Sequence, residues 1–385
     1  MIAKIKSNRI ITPSGVISGY IGIRDGKILC ITAIDFPADI CHNFTGKFVA
    51  PGFIDLHTHG AGGHAFLDST VEDVLAGCEY HLRHGTTSIL PTVSAAPFDR
   101  MRQAVQNIHE AKTSGKAVSH IIGAHLEGPY LSAAQCGAQC PDFITPPIPA
   151  DYEKLVEDYG DSIARWTYAP ENDPDGRFCA YLSAHGILPS AGHTDARYPD
   201  MACAIENGCE LVTHLYSCTS TITRDHGYRS LGVIESAFLR DELYVEIIAD
   251  GSHLPKELVQ MIVKIKGAAK VALITDSLHI AGTDVREGIM GGTPFIVEDG
   301  VCKLRDRSAF AGSVATADKL LHFAVQECGF DMVTAVSMLT AVPAEILDLP
   351  KGKIVTGLDA DLVIFDNDFQ VSDVFVDGVH MEVTL

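Results

Sequence analysis

The stretch Phe53-Ile54-Asp55-Leu56-His57-Thr58-His59 decides the fold of this chain, because it is an apolar run that ends in two histidines. On a β-strand, side chains two positions apart point to the same face, so His57 and His59 can face one metal ion together. A single His-x-His pair is weak evidence, since packed and hydrogen-bonded histidines are common. The stretch predicts a strand with metal ligands at its end, and further ligands are expected where other apolar runs end.

Four more potential ligands stand at the ends of later apolar runs: Glu127, His193, His214 and Asp276. Each has an ordinary structural alternative, which is a packed histidine or a carboxylate that caps a loop or helix. Their shared placement favours a metal site, because in a (β/α)8 barrel the strand ends all open into one mouth and ligands distant in sequence converge there. The chain is therefore predicted to be a metal-dependent barrel enzyme.

A recurring unit of apolar run, polar or glycine-containing end and helical stretch supports the same fold, since this is the βα pattern of a parallel sheet. Eight such runs are predicted as barrel strands, at residues 53–59, 87–92, 120–127, 163–169, 186–193, 210–216, 244–250 and 271–276. We predict an α/β protein with a (β/α)8 TIM barrel.

The two chain ends have a different pattern, in which short β-like runs alternate with turn signals. Asp25-Gly26 and Asp377-Gly378 are hairpin turn sequences between such runs. We predict that residues 1–50 and 346–385 form one small β-sandwich domain and that residues 51–345 form the catalytic barrel. Two segments after barrel strands, 132–149 and 216–232, are expected to be long functional loops.

Composition excludes several classes of partner. The formal net charge of -20 argues against a nucleic-acid partner, because such proteins need clustered Lys and Arg to displace counterions. The first residues show no apolar stretch of signal-peptide length, so we expect no signal peptide, and no apolar segment is long enough to cross a membrane. The eleven cysteines are scattered, which favours reduced thiols. A cytoplasmic protein with a small-molecule substrate, and with no nucleic-acid or membrane partner, is expected.

The ligand types define the expected chemistry. Three histidine nitrogens with one or two carboxylates suit Zn²⁺ or Fe²⁺, and an open position for water would provide a nucleophile near neutral pH. Asp276 would be the general base that takes the proton from water and returns it to the leaving amine. The predicted reaction is metal-assisted hydrolysis of an amide-like bond.

Several motifs together give the chain a recognisable likeness. It resembles the N-acetylglucosamine-6-phosphate deacetylase family of the amidohydrolase superfamily over nearly its whole length. The motifs are VAPGFIDLHTHG at 49–60, HLEGPY at 125–130, APEN at 169–172, AGHTD at 191–195, THLY at 213–216, IIADGSH at 247–253 and ITDS at 274–277.

The resemblance implies a role for each matching ligand residue. Glu127, His193 and His214 would hold the principal metal, and His57 and His59 would provide a second metal position. It implies a divalent cofactor, Zn²⁺ or Fe²⁺, with one or two ions per subunit. In the same comparison, the family's catalytic aspartate matches Asp276.

The resemblance also implies an amino-sugar phosphate as substrate and a homodimer. His253 matches a substrate-contacting histidine, and Arg229 matches an arginine that reaches a phosphate from the neighbouring subunit. Arg224 is a competing candidate for the phosphate contact, because it lies in the same loop.

Two positions differ from the family pattern. Gln139 replaces a histidine that would polarise the substrate carbonyl, and glutamine can donate a hydrogen bond but not a proton. Ser217-Cys218-Thr219 replaces Asn-Ala-Met in the loop that normally contacts phosphate. We therefore expect Gln139, Ser217 and Cys218 to contact substrate and to bear on its identity.

Other functions compete with this interpretation. Hydantoinase-like relatives use a lysine on the fourth strand, and residues 163–169 contain none. A deacetylase for N-acetylgalactosamine-6-phosphate or for an unphosphorylated sugar fits nearly as well as the family's usual substrate. A non-catalytic barrel that binds an amino sugar is a further alternative, but such a barrel has no reason to retain a metal.

Overall fold

The computed structural model describes residues 1–383, and its central element is a barrel of eight parallel strands. This confirms the predicted (β/α)8 fold. The sixth strand is shorter than the predicted run 210–216. The barrel strands are, in order, Phe53–Thr58, Thr86–Ser94, Ala124–Glu127, Ile163–Tyr168, Leu188–Ala191, Leu211–Val212, Tyr244–Ile248 and Val271–Ile274, with the short strand His120–Ile121 also paired to the second.

The barrel closes between its eighth and first strands at the residues that carry the predicted ligands. The backbone N–H of Asp276 donates to the carbonyl of His57 at 2.9 Å, and the N–H of His59 donates to the carbonyl of Ser277 at 2.8 Å. The ligands of the first and last strands are therefore joined by backbone hydrogen bonds.

The strand sequences are apolar on both faces because helices cover the outside of the barrel while side chains fill its inside. Every residue of the strands Phe53–Thr58 and Thr86–Ser94 is buried. The helices are Val71–Arg83, Phe98–Thr113, Pro149–Tyr159, Arg177–Ala184, Tyr198–Glu206, Val233–Leu239, Lys256–Lys266, Ala317–His322, Met332–Leu339 and Ala341–Ile346. The first begins at a capping box, in which the Thr70 side chain accepts from the N–H of Asp73 and the Asp73 carboxylate accepts from the N–H of Thr70.

Strands from both chain ends share one eight-stranded sheet outside the barrel. It encloses its own apolar core, which includes Ile5, Ile10, Val49 and Phe375. Positions 384 and 385 of the predicted segment 346–385 lie outside the described residues. The strands are Ile2–Thr12, Gly15–Arg24, Lys27–Thr32, Ile40–Asn43, Phe48–Pro51, Leu362–Phe365, Val371–Val376 and Val379–Glu382.

Smaller strands decorate the barrel mouth. The predicted loop 216–232 contains a hairpin, Thr223–Asp225 paired with Tyr228–Ser230, which the polar sequence did not predict. A three-stranded antiparallel sheet, Glu287–Met290, Thr293–Glu298 and Val301–Leu304, follows the eighth barrel strand, and a short hairpin pairs Gly60–Ala61 with His64–Ala65. Within residues 1–383, no helix has the length and apolar character that crossing a membrane requires.

Candidate metal centre

Six predicted site residues meet at the carboxyl ends of the barrel strands, where five of them line one cavity and His57 lies behind Glu127 and Asp276. The cavity has a volume of about 240 Å³. Because these residues stand at the ends of five barrel strands, with His57 and His59 on the first, the barrel brings together side chains that the sequence separates. They are His57, His59, Glu127, His193, His214 and Asp276, and all six are buried.

Glu127, His193 and His214 form what we call the principal set. The Nε2 atoms of both histidines lie 3.0 Å from Oε1 of Glu127, and the two Nε2 atoms are 3.2 Å apart. Two imidazole nitrogens and a carboxylate oxygen thus surround the same small region.

His57, His59 and Asp276 form what we call the second set. Oδ1 of Asp276 lies 3.5 Å from Nε2 of His57 and 3.3 Å from Nε2 of His59. Glu127 connects the two sets, because its Oε1 is 3.4 Å from Nε2 of His57 and its Oε2 is 3.2 Å from Nε2 of His59. Each set could offer its donors to a divalent ion, and Glu127 has an oxygen near the histidines of both sets.

Backbone carbonyls orient the histidines of the principal set. Nδ1 of His193 lies 3.0 Å from the carbonyl oxygen of Gln135, and Nδ1 of His214 lies 3.1 Å from that of Ser217. A carbonyl only accepts, so each Nδ1 carries the proton and each Nε2 presents its lone pair to the cluster.

Side chains orient the histidines of the second set. Nδ1 of His57 lies 3.1 Å from Oε1 of Glu246, and Nδ1 of His59 lies 3.0 Å from Oγ of Ser94. The Glu246 carboxylate fixes the tautomer of His57 in the same way as a carbonyl would, and Nε2 of His57 again points into the cluster.

The chemistry of these donors fits a bound cation. Nε2 of His57 is buried and has no hydrogen-bond partner. It faces Glu127 and Asp276, both of which only accept when ionised. Acceptor atoms that converge in a buried site require positive charge to balance them, and a divalent metal ion would supply it.

The close contact between histidines and carboxylates also shifts the pKa values of the cluster. Burial alone would lower the pKa of His57, but Glu127 and Asp276 raise it to about 10. Burial alone would raise the pKa of Glu127, but His57 and His193 hold it well below its usual range. Asp276 has a lowered pKa for a similar reason, since His57 and His59 outweigh its burial. The carboxylates are therefore ionised at neutral pH and attract cations.

The backbone is strained where the chain leaves the strands. His193, His214 and Asp276 have φ values of 47°, 28° and 46°, and Tyr216 and Cys218 next to them have 76° and 51°. Non-glycine residues seldom adopt this left-handed region, and such residues concentrate at functional sites. The turns direct the ligand side chains into the barrel mouth.

Four of the five residues predicted to contact substrate line the cavity, and Arg229 does not. The four are Gln139, Ser217, Cys218 and His253. Gln139 lies against Glu127. Its Oε1 accepts from the N–H of Ala95 at 2.9 Å, which leaves its Nε2 to donate to Oε2 of Glu127 at 2.6 Å.

His253 is held by a carboxylate of its own. Its Nδ1 lies 2.8 Å from Oδ2 of Asp250, so its Nε2 remains available to a ligand. His253 also lines the cavity together with Phe310, whose ring centroid is 4.7 Å from that of the imidazole.

Arg229 and Arg224 do not reach the cavity of their own subunit. They are cross-strand partners on the exposed hairpin, and the guanidinium of Arg229 donates to the carbonyl of Gly227 at 3.0 Å. Among the described residues that line the cavity there is no Lys or Arg. The structure therefore does not bring either arginine into the cavity.

Sequence reasoning missed several residues of the site. Glu246 and Arg165 are charged residues inside the apolar strands Tyr244–Ile248 and Ile163–Tyr168, and a lone charge in a strand buried on both faces is a signal that a partner is needed. Ile248 and Met290 form apolar parts of the cavity wall. Met290 belongs to the three-stranded sheet, which the sequence did not predict.

Comparison with known families and relatives finds similar proteins over nearly the whole chain. The model of the amidohydrolase family matches residues 48–167 and 179–381, and that of the composite domain of allantoinase matches residues 4–36. The chain is 31% identical to the N-acetylglucosamine-6-phosphate deacetylase of Bacillus subtilis (strain 168), with 95% of this chain and 94% of the relative covered.

Two further proteins bear on fold and substrate. An N-acetylgalactosamine-6-phosphate deacetylase from Shewanella sp. (strain ANA-3) is 31% identical over 98% of this chain and 94% of its own length. A mutant N-acetyl-D-glucosamine-6-phosphate deacetylase from Mycobacterium smegmatis, solved in complex with N-acetyl-D-glucosamine-6-phosphate, superposes with a TM-score of 0.91 at 27% identity. The alignment covers 98% of this chain and 99% of that one.

Proposed function

The chain belongs to the amidohydrolase family, and on that premise we propose that it removes the N-acetyl group of N-acetylglucosamine-6-phosphate. The products are glucosamine-6-phosphate and acetate. The observation that carries this proposal is the convergence of the principal and second sets at the inner end of one cavity, in a chain similar to deacetylases over almost its whole length.

The metal dependence follows from the donors. The principal set would hold one divalent ion and the second set another, with Zn²⁺ or Fe²⁺ suited to mixed histidine and carboxylate ligands. When bound, such an ion polarises a carbonyl oxygen and makes water a stronger acid. The residues of the chain then position the amide and move protons.

Asp276 is the proton carrier in this proposal. Its carboxylate is ionised at neutral pH and faces both histidines of the second set, so it accepts a proton from the attacking water. The same carboxyl group then donates that proton to the amide nitrogen as the C–N bond breaks. The leaving amine departs neutral, and Asp276 returns to its ionised form.

The cavity wall orients the sugar. Nε2 of His253 is free of Asp250 and would bind a sugar hydroxyl, while Gln139 would place the second N–H of its amide toward the acyl carbonyl. Ile248 and Met290 provide apolar surface for the acetyl methyl group. Ser217 and Cys218 lie on the side where the family contacts phosphate.

A homodimer would complete the site. The described residues that line the cavity include no Lys or Arg, the side chains that usually bind a phosphate. The exposed hairpin carries Arg224 and Arg229, and Tyr228 between them is 82% exposed. We assign the phosphate contact to Arg229 of the partner subunit, with Arg224 as the competing candidate. Burial of Tyr228 in the interface would account for an aromatic ring in this position.

A second candidate substrate is N-acetylgalactosamine-6-phosphate. The relative from Shewanella carries that activity in its name and is as similar to this chain as the Bacillus subtilis relative. The loop Ser217-Cys218-Thr219 departs from the family pattern and therefore bears on which of the two sugars is preferred. Both sugars would use the same metal centre.

The thiols support a cytoplasmic location. All eleven cysteines are unpaired, and five of them are buried. Reduced thiols are typical of proteins from a reducing compartment. A phosphorylated sugar is also a substrate that cells retain in that compartment by its charge.

The experiment that tests the function measures acetate release on enzyme of assayed metal content. The substrates are N-acetylglucosamine-6-phosphate, N-acetylgalactosamine-6-phosphate and unphosphorylated N-acetylglucosamine. We expect the first to be turned over with the highest kcat/KM. Preference for the second would assign the alternative substrate, and absence of acetate from all three, with metal bound, would contradict the proposal.

The two arginines are compared in the same assay. Arg229→Ala is expected to raise KM for phosphorylated substrates and to leave the unphosphorylated one unchanged, because only a phosphate needs the charge. Arg224→Ala is the matched control on the same hairpin. An equal effect of Arg229→Ala on all substrates would contradict the assignment.

A further inference from the structure

Arg165 and Glu246 form an ion pair inside the barrel, beneath the metal centre. Both side chains are fully buried. The contact is bidentate, because Nη1 of Arg165 donates to Oε2 of Glu246 at 2.6 Å and Nη2 donates to Oε1 at 2.8 Å. Taking two charges out of water costs about as much as their attraction returns, so stability alone does not explain this pair.

Every nitrogen of the Arg165 guanidinium has a partner, and this fixes the pair in place. Nε donates to Oγ of Ser190 at 2.9 Å and Nη2 also donates to Oγ1 of Thr213 at 2.7 Å. Nη1 also donates to the carbonyl of Leu56 at 3.3 Å. The guanidinium therefore connects the first, fourth, fifth and sixth strands to Glu246 on the seventh.

Glu246 contacts two metal ligands, through the ring of His57 and through the backbone of His214. Its Oε1 accepts from Nδ1 of His57 at 3.1 Å and from the backbone N–H of His214 at 3.3 Å. Other than Glu246, no acceptor is recorded for that Nδ1 among the described residues. The orientation of the His57 ring thus depends on Glu246.

His57 occupies a special position between the two sets. It belongs to both groups of donors that could hold an ion there, one with His59 and Asp276 and the other with Glu127 and His214. The principal set retains Glu127, His193 and His214 without it. The second set, by contrast, would retain a single histidine, His59.

We propose that Glu246, fixed by Arg165, is a positioning residue that determines whether the second set binds a metal ion. Loss of its acceptor would free the His57 ring to turn and remove the second ion while the principal ion stays. This inference rests on the proposed metal centre, but it makes no use of the substrate.

The test separates the acceptor from the charge with two double variants. Arg165→Met with Glu246→Gln removes both charges and keeps a side-chain oxygen for Nδ1 of His57. Arg165→Met with Glu246→Leu removes the charges and the oxygen together. Replacing a buried ion pair with uncharged groups of similar size is commonly tolerated, whereas removing one partner leaves an unpaired buried charge.

The readout is Zn²⁺ binding to the metal-free protein, measured by calorimetric titration and checked by elemental analysis after dialysis. We expect two ions per subunit in the wild type and in the variant with glutamine. In the variant with leucine we expect the second ion to bind about 10- to 100-fold more weakly, the usual effect of losing a partner of a ligating histidine. The affinity of the first ion should be unchanged.

Asp318→Asn is the matched control, because it alters another buried carboxylate that pairs with a histidine. Oδ2 of Asp318 lies 3.0 Å from Nδ1 of His84, outside the cavity. It should bind two ions like the wild type. Equal Zn²⁺ binding by the glutamine and leucine variants, or a single ion in the wild type, would overturn the proposal.

The outcome is independent of the proposed reaction. Two Zn²⁺ ions in the wild type with selective loss in the leucine variant would support the role of Glu246 even if no acetate were released. Acetate release by a wild type that holds a single ion would support the function and overturn the role of Glu246.

Discussion

The principal and second sets of ligands share Glu127 but differ in what holds their imidazole rings. In the principal set, Nδ1 of each histidine donates to a backbone carbonyl, and these carbonyls belong to Gln135 and Ser217. In the second set, Glu246 and Ser94 hold the rings with their side chains. A backbone carbonyl is present whatever the residue, whereas a side-chain partner is lost by one substitution.

This difference means that the two metal positions depend to different degrees on single side chains. The principal set is fixed by the course of the chain, including the strained turns at His193 and His214. The second set depends on side chains that a single mutation can change. We expect the first ion to resist substitutions in its surroundings and the second to be sensitive to them.

The largest effect is expected from Glu127→Gln, because this residue belongs to both sets. An amide has one neutral acceptor oxygen instead of two that share a negative charge, so both ions should bind more weakly. The two sets should then no longer differ in their response. Turnover should fall by about 10⁴-fold or more, beyond the loss of a single acid–base group. Elemental analysis and initial rates measure this, and full metal content would contradict it.

Asp276→Asn should separate chemistry from metal binding within the second set. Asparagine keeps the shape and an acceptor oxygen but cannot take a proton, so turnover should fall by about 10²- to 10⁴-fold. The principal ion should be retained at wild-type occupancy, which elemental analysis on the assayed sample would verify. Activity near that of the wild type would remove Asp276 from proton transfer.

His57→Gln should convert the centre to one ion. Metal content should fall from two ions to one per subunit, with the remaining ion in the principal set, where Glu127, His193 and His214 persist. We expect kcat/KM to fall less than for Asp276→Asn, by about 10- to 100-fold. The matched variant His193→Gln should lose the principal ion instead. Equal metal content in the two variants and the wild type would contradict the division into sets.

The smallest effect is expected from Ser94→Ala. It removes the hydroxyl beside Nδ1 of His59, and a hydrogen bond of this kind contributes about 0.5–1.5 kcal/mol. The second ion should bind a few-fold more weakly in a Zn²⁺ titration, with no change at the first. A comparable loss at both ions would mean that the two sets do not respond separately.

Much of the fold could be predicted from the sequence because the ligands stand at the ends of the apolar runs that form the strands. Parallel strands buried on both faces are continuous apolar runs, and a polar residue at the end of such a run stands out. His57, Glu127 and Asp276 were identifiable in this way, as was the barrel that brings them together.

Other features could not be predicted because their signals are not local. Glu246 and Arg165 lie inside apolar strands, and only the closed barrel shows that they pair with each other. The hairpin that carries Arg229 is polar and exposed, so neither periodicity nor hydrophobicity marks its strands. The sheet that brings Met290 to the cavity begins at Glu287, shortly after the motif at 274–277, but that motif carries no signal for a sheet.

The closure of the barrel at His57 and Asp276 links assembly to cofactor loading. These two residues join the first and last strands through their backbones while their side chains face one another across the second set. An ion bound by those two side chains would therefore link the first and eighth strands and stabilise the closed barrel. Removal of the ion by a chelator should therefore weaken the pairing of the first and eighth strands before that of other strands. A newly made chain cannot form this part of the metal site until its eighth strand has been synthesised and has paired with the first.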